Sequence, residues 1–159
     1  MWRKYDAVAG DDHEQYTEFY DRMLAEHPNL VRKRVVGQTY NGRDIIALQV
    51  TKNPTGADVP GKPAVLYNAM QHAREWLAGE TCKRTLSYFV DNYGKSSDVT
   101  NLVNTRELWF MPVANPDGYQ YTFDGDRLWR KNLRDNDGDG VITNADGVDL
   151  NRNYDINWG

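Results

Sequence analysis

The stretch "AVLYNAMQHAREW", residues 64 to 76, sets the reading of the fold. Its first seven residues form an apolar run, the pattern of a strand covered on both faces in an α/β sheet. From about Arg74 to Tyr93, the residues Trp76, Leu77, Thr81, Leu86, Phe89 and Val90 recur at mixed three- and four-residue spacing, which predicts a helix. Gly94 stops it, as a helix C-terminus prefers. A short helix around 98–104 and a second apolar strand, "ELWFMPV", come next. Strand, helix, strand is a βαβ crossover, expected to be right-handed with parallel strands.

Upstream, "DDHEQYTEFYDRMLAEHPNL" places Tyr16, Phe19, Tyr20, Met23 and Leu24 at helical spacing, with Asp11 or Asp12 to cap the start and Pro28 beyond the end. "LVRKRVVGQTYNGRDIIALQVT" holds two β-rich runs around Asn41-Gly42 and reads as a hairpin with a somewhat long loop. After residue 115 the periodicity fades into loops. Neither an internal repeat nor a domain boundary is visible, so residues 1–159 are expected to form one α/β unit.

The 159 residues suffice for a real core, with ten Tyr and five Trp to fill it. A net charge of −4 argues against nucleic-acid binding, which calls for a basic excess. No apolar run approaches the roughly 18 residues of a membrane span, and the N-terminus has no signal-peptide core. The single cysteine, Cys82, sits in the predicted helix and reads as a small core residue.

His72 falls just past the carboxyl end of the first apolar strand, where open α/β sheets place ligands. Glu75, three residues on, would share its face in a helical first turn. Imidazole nitrogen and carboxylate oxygen both suit zinc. Alone, the spacing is a weak metal signal and reads first as a polar helix cap, the glutamate favoured by the positive helix end. His13 and His27 flank the first predicted helix and read as surface polar residues.

Three further motifs follow in order: "NPDGY" at 115–119 closing the second strand, "RLWRKN" at 127–132, and "GVDLNRNYD" at 147–155. With the His–Glu pair they resemble the metallocarboxypeptidase family of zinc exopeptidases, from about residue 5 onward. The resemblance implies half of a zinc-carboxypeptidase fold: a mostly buried mixed sheet of about four strands, an N-terminal hairpin, a βαβ crossover and helices on both faces. His72 and Glu75 then match two of three zinc ligands, and Arg74 matches a substrate contact further from the cleaved bond. Arg130 matches the arginine that polarises the scissile carbonyl. Asn151 and Arg152 match the pair that grips the substrate's C-terminal carboxylate.

These residue types suit that chemistry. Guanidinium binds carboxylate through two parallel hydrogen bonds. A donor aimed at a developing oxyanion is worth about 3 to 4 kcal/mol of barrier. Zinc lowers the pKa of its water to about 7.

The family's third zinc ligand, a histidine beyond the "NRN" motif, and its late general-base glutamate match nothing in this chain. The expectation is an N-terminal part of a catalytic domain with little turnover by itself. It would be completed by a C-terminal half, or would self-associate through the sheet edge that half normally covers. The implied substrate is a peptide or protein with a free C-terminus, and family analogy implies an extracellular setting.

"DNDGDGVITNAD", residues 135–146, follows a calcium-loop pattern. Asp135, Asp137 and Asp139 match its first three side-chain ligands, Gly140 its sharp turn, the Val141 carbonyl its backbone ligand and Asp146 its last position. Aspartate there has a shorter reach than the usual glutamate. Flanking helices are not evident, so the loop reads as a lone one. Calcium would fix the backbone between Arg130 and Asn151–Arg152. Two other readings use the same residues. One is a non-catalytic fragment that binds calcium or a peptide carboxylate. The other is a dockerin-like interaction module, against which the single loop and the long α/β body speak.

Overall fold

The computed structural model describes residues 2–155. Its elements run α1 (Tyr16–Glu26), β1 (Val31–Gln38), β2 (Asp44–Val50), β3 (Ala64–Asn68), α2 (Trp76–Asn92), α3 (Ser97–Thr105), β4 (Glu107–Met111), α4 (Pro116–Asp124) and a 3-10 turn at Leu150–Arg152. One mixed sheet carries the strands in the order β1-β2-β4-β3. The hairpin is antiparallel, β2 pairs antiparallel with β4, and β3 pairs parallel with β4. The crossover through α2 and α3 thus joins parallel neighbours, as the apolar pattern predicts. No helix among the described residues is long and apolar enough to cross a membrane.

The hairpin turns where Asn41-Gly42 predicts, with Gly42 at φ +80°, a conformation open to glycine without steric cost. α1 begins at Tyr16 rather than at the aspartates. The Glu18 carboxylate reaches back to accept the Gln15 N–H at 2.8 Å, while Asp11 accepts from His13 and Gln15 instead. α4 is a larger departure, since "NPDG" starts a helix rather than a loop. Asn115 caps it, Pro116 occupies its first turn at no hydrogen-bond cost, and Tyr119 and Thr122 turn inward. Two prolines and a glycine around its start hide its period from the sequence.

Burial divides the sheet. β2 and β4 are buried almost throughout, whereas β3, despite its apolar sequence, is mostly exposed. Its only strand partner among the described residues is β4, so Val65 and Leu66 stand 43% and 57% accessible. Leu77 and Thr81, counted above among the periodic apolar positions of α2, face outward beside it. With Tyr67, Ala78 and Cys82 they line an open apolar groove of about 450 Å³. Burial pushes the Cys82 thiol up to about 12, which keeps it an inert packing group.

One buried charge organises the central strands. Glu107, 1% exposed, accepts hydrogen bonds from Gln49 Nε2 (2.6 Å), Trp109 Nε1 (3.2 Å) and the Val59 amide (2.5 Å). Glu107→Ala leaves the buried Trp109 indole N–H and the part-buried Val59 amide without this acceptor, and Gln49 Nε2 with only the Ala57 carbonyl, so we expect urea denaturation to show a loss of about 3 kcal/mol. A change below about 0.5 kcal/mol would contradict this role.

Candidate metal centre and carboxylate-binding site

The chain leaves β3 through Met70, whose φ of +48° is a left-handed conformation costing about 1–3 kcal/mol in a residue with a side chain. Burial of Met70 in the core holds it there. His72 and Glu75 then lie on a turn before α2 rather than in its first helical turn, with the Glu75 amide bonded to the His72 carbonyl at 3.2 Å. Trp76 fixes the exit. Its indole stacks on Phe123 at 4.5 Å and donates to Thr122 Oγ1 at 2.9 Å, pinning the start of α2 to α4. The two residues still converge, because the turn itself brings positions three apart together.

His72 Nδ1 lies 2.8 Å from Glu75 Oε1 at a small cleft of about 240 Å³. The other imidazole nitrogen, Nε2, stands 3.2 Å from Asp149 Oδ1 without hydrogen-bond geometry, and both atoms are buried without a partner among the described residues. Arg130 Nε donates to Asp149 Oδ2 at 3.0 Å and its Nη2 to Asn151 Oδ1 at 3.2 Å, while Nη1 is 3.9 Å from Glu75 Oε1. Arg152 Nη1 donates to the same Asn151 oxygen at 2.9 Å. Partial burial opposes ionisation of Asp149, but the Arg130 hydrogen bond and charge, with His72 and Arg152, hold its carboxyl below the usual range. Arg74 stands apart, exposed and bonded to the Leu128 carbonyl at 3.3 Å.

A proton count shows what the His72 site accommodates. A neutral imidazole has one N–H, yet two carboxylates face its two nitrogens. With the proton on Nε2, the N–H faces the Asp149 carboxylate and the Nδ1 lone pair confronts Glu75. A cation between Nδ1 and Glu75 resolves that conflict, and the carboxylate behind the second nitrogen is the arrangement that orients metal-ligating histidines. These residues fit two ligands of a zinc ion.

Segments 130–134 and 146–149 are clasped together. The Asn132 amide donates to the Val148 carbonyl at 3.1 Å, and Asn132 Oδ1 accepts from the Val148 amide at 2.7 Å. Gly147, at φ +76°, passes so close to the Asn132 carbonyl and Lys131 Cβ that no side chain fits. The clasp delivers Asp149 to Arg130 and His72.

Residues 16–159 match the family model described as zinc carboxypeptidase. The chain belongs to the zinc carboxypeptidase family. It is 38% identical over 141 residues to a zinc carboxypeptidase of Saccharothrix mutabilis subsp. capreolus, covering 87% of this chain and 31% of that protein. It is 37% identical over 138 residues to an inactive metallocarboxypeptidase of Arthroderma otae, covering 86% and 22%. The carboxypeptidase A structure from Helicoverpa armigera superposes with a TM-score of 0.75 at 34% identity, over 94% of this chain and 34% of that one. The chain therefore spans about a third or less of the length of these relatives.

In this member of the family the 135–146 loop sits beyond the clasp. Asp135, Asp137 and Asp139 offer carboxylate oxygens within 4.8 Å of one another. The Gly140 and Gly138 amides hold the Asp135 carboxyl below its ordinary value. Asp146 does not join this group. Buried, it accepts from the Asn136 and Thr143 amides and from Thr143 Oγ1, which lower its pKa and close the loop from the other side. Val141 is exposed at the tip. Asp149 lies inside the 147–155 motif, and its role emerges only from the fold, although a histidine ligand calls for a partner on its second nitrogen. An acid two positions before Asn151 was the available signal.

Proposed function

We propose that residues 1–159 are the N-terminal part of a single catalytic domain that hydrolyses the C-terminal peptide bond of peptides and proteins. One observation carries this reading: the His72–Glu75 pair and the Arg130 guanidinium meet at a shared carboxylate, Glu75, with Asp149 behind both. In this reading His72 and Glu75 are two zinc ligands and Asp149 orients His72. When bound, zinc activates water and polarises the scissile carbonyl. Arg130 supports the oxygen that gains charge, Asn151 and Arg152 hold the substrate's terminal carboxylate, and Arg74 contacts residues further upstream. Family members are often secreted, and an extracellular setting belongs to the same proposal.

A third ligand and a general base come, in this proposal, from sequence outside these 159 residues. The open outer edge of β3 and its apolar groove are where a complementing segment, or a second copy, would pair. By itself the chain then holds zinc weakly and turns over little substrate. A second reading, a non-catalytic fragment that binds a peptide carboxylate, is favoured by the likeness to an inactive relative and by the gathered Arg130, Asn151 and Arg152.

Zinc titration of the purified chain tests the first reading. We expect one site, weakened at least about tenfold by His72→Ala, about 10–100-fold by Asp149→Asn, and no release of C-terminal residues. Zinc uptake indifferent to both substitutions would remove the assigned centre, and zinc-dependent release would overturn the claim of incompleteness.

Calcium is the proposed occupant of the 135–146 loop, through Asp135, Asp137, Asp139 and the Val141 carbonyl, with Asp146 closing the loop through its hydrogen bonds to Asn136 and Thr143. The gathering of three carboxylates supports it, since like charges at that range repel without a cation. Chelation is then expected to speed tryptic cleavage after Lys131 and Arg134 severalfold. Identical digestion with calcium and with chelator would make the loop merely an acidic turn.

A further inference from the structure

The geometry points to Asn115 as a positioning residue that locks the turn bearing His72 to the segment bearing Arg130. The Asn115 side chain is buried, at 2% exposure. Its Nδ2 donates to two backbone carbonyls, that of Gln71 at 3.1 Å and that of Lys131 at 3.0 Å. Gln71 immediately precedes His72, and Lys131 immediately follows Arg130. The Ala73 amide closes the seam by donating to the Arg130 carbonyl at 3.1 Å. One carboxamide therefore ties together, from behind, the two chain segments whose side chains meet at Glu75 and Asp149.

The chemistry of the group fits this task narrowly. A carboxamide has two N–H donors and one oxygen, and here each is engaged. The oxygen accepts the Gly118 amide at 3.1 Å, an ordinary helix N-cap. Gly118 is required by the close approach. A Cβ there would fall 2.5 Å from the Lys131 carbonyl and 2.6 Å from Asn115 Nδ2. The cap function needs only an oxygen, and aspartate supplies one at least as well at the positive end of a helix. The seam needs the two donors, which aspartate lacks. Asn115→Asp therefore separates capping from positioning.

The lock itself stands without a metal. Its consequence for ligand binding rests on the reading of His72, Glu75 and Arg130 as one centre.

The test is amide hydrogen exchange of the 159-residue chain followed by NMR. In Asn115→Asp the Ala73 amide is expected to exchange at least tenfold faster than in the unsubstituted protein. Amides of the β2–β4 ladder, such as those of Gln49 and Trp109, are expected to keep their rates. Gly118→Ala, which keeps the carboxamide but crowds the Lys131 carbonyl, is expected to speed Ala73 exchange at least threefold and serves where the aspartate variant does not fold. Unchanged Ala73 exchange, or a matching rise across the ladder, would reduce Asn115 to a cap or a general core residue and overturn the proposal. Zinc affinity is read in parallel and is expected to fall about 10–100-fold in Asn115→Asp. Absence of zinc binding in the unsubstituted chain would count against the metal centre alone, leaving the exchange result to judge the lock.

Discussion

The Asp149 carboxylate is the point on which the site turns. One of its oxygens takes the Arg130 guanidinium and the other faces the buried nitrogen of His72, so two groups far apart in sequence share a single anion. Such a pair is half-buried rather than exposed, and its worth lies as much in fixing direction as in energy. Everything around it serves that meeting. Met70 turns the chain at the end of β3, Trp76 pins the start of α2, and Asn132 and Gly147 close the excursion that brings residue 149 back.

The sheet shows the same economy at its two edges. β1 carries Arg32, Lys33 and Arg34 and breaks its register between Val35 and Gly37, both devices that keep an edge strand from pairing with another chain. β3 has neither. Its exposed residues Ala64, Val65 and Leu66 are apolar and it adjoins an apolar groove on α2. An apolar, unguarded edge of this kind is open to pairing, whereas β1 resists it.

Much of the fold was legible because it follows periodicity and turn chemistry. The hairpin at Asn41-Gly42, the parallel βαβ unit and both of its helices appear where apolar spacing and Gly94 put them. α4 was not legible, because Asn115, Pro116 and Gly118 imitate a turn and its inward face is only partly apolar. At the site, residue types gave the His–Glu pair, but the surrounding order depends on contacts between residues tens of positions apart. Asp149 and Asn115 lie inside recognisable motifs, but their roles depend on a distant imidazole, a distant guanidinium and backbone carbonyls that only the fold brings to them. Arg74 illustrates the converse. A motif named it, while its side chain lies away from the gathered carboxylates.

The site depends on Asp149 and Arg130 acting as one unit. A double-mutant cycle of Arg130→Ala and Asp149→Ala, read by urea denaturation, measures this directly. A coupling of at least about 1 kcal/mol is expected. Additivity within about 0.3 kcal/mol would contradict it.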